Sequence, residues 1–315
     1  MADAAKRRMQ GLVALVCVQF CFGLFPLFVK FANDSVEHAG VRVGPGGFTP
    51  NAIAFWRILV GAGFLGLVVP LVYGKRVVPE RRDVPRLFLC ASLGIVLNQV
   101  LAMEGFARTS VLNAGLLCTL IPVFTYAIAL AVKQERFSGR RTGGIAIALV
   151  GAALLVLWRS GGVEGVYPEQ FLGNCLIVIN SLSYAGYMVL ARPLLKRYSP
   201  LVVTMWMFVL GVWCLPFLGL RESVLPESIS GDAWLGLGYT LLFATILAYT
   251  LNTFALERVS ASTTAAFIYL QPLISGIAGM LVLSEVVTLP AALAGALLLA
   301  GITLVVRSPS RSAKA

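Results

Sequence analysis

Apolar runs long enough to cross a lipid bilayer follow one another along this chain almost without interruption, and that succession restricts its fold more than any other feature. A helix needs about 20 apolar residues to traverse the hydrocarbon core, where it satisfies its own backbone N–H and C=O groups. Ten such stretches stand at residues 11–31, 51–73, 86–104, 111–132, 142–158, 170–191, 201–220, 233–254, 261–283 and 287–306. The connections are short and leave no room for a soluble domain. Only 12% of the 315 residues are charged, against about 25% in soluble proteins. The chain reads as an all-α polytopic membrane protein of ten transmembrane helices, with the bilayer as its main partner.

A net charge of +11 invites a nucleic-acid partner, but the positions of the charges exclude one. Lys and Arg gather in alternate connections, such as Lys75, Arg76, Arg81, Arg82 and Arg86, or Lys133, Arg136, Arg140 and Arg141. The opposite connections hold Arg42, Arg108, Arg159 and Arg221. Basic residues resist translocation, so this bias places both termini in the cytoplasm of a cell (plasma or inner) membrane. Lys6, Arg7 and Arg8 ahead of an apolar run look like a secretory signal; the run is long enough to span and lacks a small-x-small cleavage site, so it is read as the first membrane helix.

Sliding the chain by 150 residues aligns Phe106–Val156 with Leu256–Val306 without a gap. Arg108 meets Arg258, Pro122 meets Pro272, Glu135 meets Glu285 and Gly151 meets Gly301. The same offset pairs Pro50 with Pro200 and Trp56 with Trp206. Each copy holds five spans, an odd number, so the second enters the membrane from the opposite side. The expected fold is therefore two inverted five-helix repeats, residues 1–158 and 159–315, the latter ending in a basic tail, with both termini inside. Inverted repeats are typical of alternating-access carriers, because exchanging the conformations of the halves reverses the side to which the site opens.

The segment Phe106-Ala-Arg-Thr-Ser, through Leu120-Ile-Pro122-Val-Phe to Glu135-Arg136, resembles the EamA repeat of the drug/metabolite transporter superfamily. The second copy resembles it through Glu257-Arg-Val-Ser-Ala, Gln271-Pro272 and Glu285, and Phe55-Trp56-Arg57 is similar to the arginine-bearing start of the family's second helix. The resemblance implies helices 1–4 and 6–9 around a central cavity, helices 5 and 10 at the periphery, and movement of small organic metabolites, often outward. The chain departs from the family in the connection 33–49, about a dozen residues longer than its counterpart and containing Gly44-Pro45-Gly46-Gly47. It either covers the cavity mouth or is an insertion the fold tolerates.

Ionisable groups within a bilayer are costly unless paired or hydrated, so they are the first candidates for function. Lys30, near the end of the first span, is expected to snorkel to the interface. Arg57 lies about two turns inside the second span. It either faces the cavity and attracts a substrate carboxylate, or pairs with Glu104 or a helix C-terminus. Uncharged candidates for the cavity are Asn98, Gln99, Tyr184, Tyr249, Tyr269 and Gln271, with Phe22 and Trp56 as aromatic lining. Pro122 and Pro272 are candidate hinges, and Glu135 and Glu285 structural carboxylates at symmetric helix ends. Small-residue pairs such as Ser275 and Gly279 pack helices within one chain or between two, which leaves a homodimer open.

The six cysteines fall within apolar segments without metal or redox spacing, and read as small hydrophobes. The one histidine, His38, lies in a connection, and no HExxH, GxSxG or P-loop signature is present, so neither an enzyme nor a cofactor is expected. Every acidic residue lies in a loop, tail or helix end, which disfavours cation/proton antiport through a buried carboxylate. The expectation is a secondary transporter, working as an exporter of amino acids or related carboxylate-bearing metabolites. The alternatives are a carrier of nucleotide-sugar or drug-like compounds, or a non-transporting receptor or scaffold.

Overall fold

A computed structural model describes residues 2–33, 37–38, 41–42, 47–157, 168–221, 223–256, 258–259, 267–268 and 270–307. Eight helices among them are long and apolar enough to cross a membrane. They are α1 (Lys6–Ala32), α2 (Pro50–Tyr73), α3 (Arg81–Arg108), α4 (Val111–Ala131), α5 (Gly139–Leu157), α6 (Gln170–Leu195), α7 (Pro200–Leu220) and α8 (Gly231–Asn252). Two shorter apolar helices follow, α9 (Leu270–Leu283) and α10 (Leu289–Leu304). The ninth expected stretch, 261–283, begins on residues outside the described set. Most of the long connection 33–49 also lies outside it. The connection holds a two-residue antiparallel pair, β1 (Glu37–His38) with β2 (Val41–Arg42). Its ends are pinned where the Phe48 N–H donates to the Ala32 carbonyl at 2.7 Å.

Local devices recur 150 residues apart. Thr49 and Ser199 cap α2 and α7, each side-chain oxygen accepting the backbone N–H three residues on, at 3.2 and 3.3 Å. Each of these helices then takes proline in its first turn, where no N–H donor is needed. A π-helical turn interrupts α3 at Ser92–Leu97 and α8 at Leu242–Leu247. Trp56 of α2 donates its indole N–H to the Val224 carbonyl at 2.8 Å, and Trp206 of α7 donates to the Val77 carbonyl at 2.6 Å.

Packing follows the same exchange. The helix pairs α5 with α10, α2 with α7 and α4 with α9 are in contact, as are α1 with α8 and α3 with α6. Adding 150 residues to one member of this set returns another member of it. In lipid, association rests on close van der Waals fit, which small residues permit. Gly151 faces the α10 backbone so closely that a Cβ there would lie 2.8 Å from the Ala294 carbonyl oxygen, and at Gly301 it would lie 2.5 Å from that of Gly144. Ser275 and Gly279 are likewise engaged within the chain: Ser275 donates to the Gly23 carbonyl at 2.7 Å, and a Cβ on Gly279 would meet Glu285.

Two helices are broken where proline removes a donor. α4 consists of Val111–Cys118 and Ile121–Ala131, joined at Thr119–Leu120 immediately before Pro122. α1 breaks at Leu24, two residues before Pro26. Carbonyls around the α1 break are taken by other helices, Phe20 and Cys21 by the Tyr239 hydroxyl at 3.2 and 3.1 Å, and Gly23 by Ser275. Pro272 stands in the first turn of α9.

Candidate functional site

The π-helical turn of α8 organises the strongest polar constellation within the spans. The Thr245 hydroxyl donates to the Thr240 carbonyl, five residues back, at 2.8 Å, and accepts from Arg57 Nε at 2.9 Å. Arg57 Nη2 donates to the Ala244 carbonyl at 3.2 Å. The guanidinium lies over the Phe25 ring, 4.1 Å from its centroid, where a cation is drawn to the ring face. Arg57 is only 2% exposed. Its Nη1 makes no hydrogen bond among the described residues, so two of the three guanidinium nitrogens are fixed by the protein and the third is left over.

Of the alternatives open for Arg57, the pairing with Glu104 does not occur. Glu104 instead takes Arg108, which also reaches Glu169 at 2.7 Å. Four residues apart on one helix, Glu104 and Arg108 form a local pair that needs no fold-level approach. Lys30 does not snorkel either. It is fully buried, in electrostatic contact with Glu285, because α3, α4, α8 and α9 pack around the end of α1.

Around Arg57 the surface is aromatic. Tyr249, one turn beyond Thr245, is within electrostatic reach of Arg57 and meets Phe22 and Phe208 edge to face, at centroid distances of 6.3 and 5.5 Å. Tyr184 and Tyr187 on α6 lie 5.1 Å apart, and both interact electrostatically with Tyr249. Arg57, Tyr249 and Tyr184 thus come together, with Tyr187 and Phe25 added by the structure.

The matching π-helical turn in α3 is held differently. Asn180 donates to the Asn98 carbonyl at 2.7 Å and Ser183 to that of Leu93 at 2.8 Å. Neutral α6 side chains do there what Arg57 does in the other half, and Met207 stands 150 residues from Arg57. Asn98 is half-buried, and Gln99 is 2% exposed with no side-chain hydrogen bond among the described residues. Gln271 donates to Gln19 at 2.8 Å, a link between α9 and α1. Tyr269 lies outside the described residues. Gln19 and Thr245 were not among the residues nominated from sequence, although both are polar residues inside apolar runs; Phe25 carries no such signal.

Glu135 and Glu285 sit apart from this centre, at opposite ends of α4. Glu135 pairs with Arg141 and with Arg192 at 3.1 Å. Glu285 accepts the backbone N–H groups of Val111 at 2.8 Å and Leu112 at 3.3 Å. Among the described residues, no group of three or more His, Cys, Asp or Glu is placed to hold a metal ion.

Comparison with known proteins places this arrangement among carriers. The model of the EamA-like transporter family matches residues 9–157 and 171–307. The chain is 28% identical over 267 residues to the uncharacterized transporter YdfC of Bacillus subtilis, covering 84% of each chain. It is 26% identical to a probable terminal-alkyne amino-acid exporter of Streptantibioticus cattleyicolor, over 85% of this chain and 87% of the other. A WAT1-related protein of Arabidopsis thaliana is 24% identical, over 96% of this chain and 82% of its own length. A solved crystal structure, 16% identical, superposes with a TM-score of 0.60 over 95% of this chain and 96% of the other, a likeness of fold.

Proposed function

This chain belongs to the EamA-like transporter family, and from that premise we propose that it exports small carboxylate-bearing metabolites, amino acids foremost, by alternating access through the space around Arg57. The observation that carries the reading is the guanidinium of Arg57. It is clamped at Nε and Nη2 by the α8 turn, with Nη1 uncommitted beside an aromatic wall. A guanidinium offers a planar fork suited to a carboxylate, and Tyr249, Tyr184 and Phe22 supply flat apolar faces for the rest of a small substrate. The relative described as a probable terminal-alkyne amino-acid exporter supports this substrate class.

The reading includes ten spans, with α9 and α10 completing two inverted repeats divided near residue 158, and both termini cytoplasmic. Support comes from the recurrence of caps, π-helical turns and helix pairs at an offset of 150 residues, and from the lopsided loop charges. Pro122 and Pro272 serve as hinges in it, since the break before Pro122 leaves the two segments of α4 joined by only a tightened turn. Asn98, Gln99 and Gln271 complete the polar lining, and Tyr269 is assigned to it from sequence alone.

The test is counterflow of labelled amino acids in proteoliposomes, with Arg57→Ala, Arg57→Lys and Thr245→Val. Arg57→Ala is expected to lower flux at least about tenfold, the loss that follows truncation of a charged hydrogen-bonding partner. Arg57→Lys keeps the charge but not the fork, so KM rises. Thr245→Val removes the Nε contact and leaves that of Nη2 with the Ala244 carbonyl, and its loss falls on stability. Equal flux from Arg57→Ala and native protein removes Arg57 from the site; no flux above empty liposomes with native protein overturns the amino-acid reading.

A further inference from the structure

Where α3 begins, a cleft of about 540 Å³ is lined by Arg82, Asp83, Pro85, Arg86 and Arg197. Its acidic capacity is already taken. Asp83, 3% exposed, pairs with Arg197 and accepts the Tyr198 hydroxyl at 2.8 Å. Glu80 serves Arg82 Nε at 2.7 Å and Arg197 Nη1 at 3.3 Å. Arg86 has no ion pair among the described residues, and Arg82 engages through Nε alone, with its side chain 72% exposed. Three guanidinium groups against two carboxylates leave one positive charge and two open forks, the geometry that receives phosphate oxygens.

The same stretch of α3 is apolar immediately beyond the cations. Phe88 and Leu89 are 44% and 49% exposed, within one turn of Arg86. Cations at the first turn of a spanning helix stand at headgroup depth, and exposed apolar residues beyond them stand at acyl depth. A free anion uses only the first of these features, whereas a phospholipid uses both.

We propose that this cleft seats one anionic phospholipid, its phosphate held by Arg82 and Arg86 and an acyl chain lying along Phe88 and Leu89. The lipid bridges the start of α3 and the turn between α6 and α7, elements already joined by Arg197 and Tyr198. The site is separate from the space around Arg57.

The experiment measures phosphatidylglycerol retained by the purified full chain in native mass spectrometry. It compares native protein with Arg82→Gln/Arg86→Gln and with Arg7→Gln/Arg8→Gln, which removes the same charge elsewhere. Native protein is expected to retain one phosphatidylglycerol in preference to phosphatidylcholine. The cleft variant binds it about 25-fold more weakly, roughly fivefold per arginine at an anionic surface, and the Arg7/Arg8 variant binds as native. All four positions are exposed, so loss of folding does not enter the comparison. An equal loss in both variants replaces the seat with diffuse attraction. Displacement by excess inorganic phosphate makes it a free-anion site. Absence of retained lipid on native protein removes it, and each of these results overturns the proposal.

Discussion

Glu135 and Glu285 occupy the same place in the two halves and carry different loads. The chain reverses alike at both. The Glu135 N–H donates to the Ala129 carbonyl and the Glu285 N–H to that of Gly279, each at 3.1 Å. A residue with positive φ precedes each glutamate, Lys133 at 59° two positions before Glu135 and Ser284 at 53° one position before Glu285. Each glutamate has a cation beside it, but their hydrogen-bond partners differ. Glu285 accepts the first N–H groups of α4, which have no intrahelical acceptor, and lies near Lys30. Glu135 faces Arg141 and Arg192. Arg141 stands in the first turn of α5, where the helix dipole disfavours a cation, and Glu135 offsets that cost. A turn is a local object and repeats with its sequence, whereas the load is set by whatever the neighbouring helices bring to it.

The comparison can be broken most sharply at Glu135. Glu135→Gln leaves Arg141, whose side chain is 9% exposed, without its anion, and is expected to cost roughly 3 kcal/mol in unfolding from detergent, the scale for breaking a buried pair. Adding Arg141→Gln should recover part of that loss; a double variant no more stable than the single one would show that the charge pair is not the cause. Glu285→Gln keeps an acceptor for the α4 amides but takes the counter-charge from fully buried Lys30, and is expected to cost about the same, roughly 3 kcal/mol, with faster amide exchange at Val111 and Leu112. Unchanged exchange at Val111 and Leu112 would remove Glu285 as their acceptor. Smallest are the indole bonds: Trp56→Phe and Trp206→Phe should each cost about 1 kcal/mol. Near-equal losses support the symmetric exchange between α2 and α7, and a loss confined to one of them argues against it.

Much of the architecture was legible in the chain because its causes are local. Apolar length marks the spans, proline marks the breaks before Pro122 and within α1, and the 150-residue offset marks the matching caps at Thr49 and Ser199. The boundaries were less legible: α3 begins at Arg81 rather than at 86, since a helix continues past the apolar run until a turn ends it. The site was legible only in outline. Arg57, Tyr184 and Tyr249 were nominated by polarity within spans and do converge. Gln271 was nominated too, but its amide is given to Gln19, and composition does not say which polar residues will find each other.

Sequence by itself determined that this chain is a multi-pass membrane protein, because transfer of side chains from water to lipid depends on residue type and run length alone. Tertiary structure decided the rest. It enclosed Lys30 instead of letting it reach the interface, and it gave Glu104 to Arg108. It also set Arg57 between Phe25 and a π-helical turn 187 residues away. Those outcomes depend on distances between helices remote in sequence, and only packing supplies such distances.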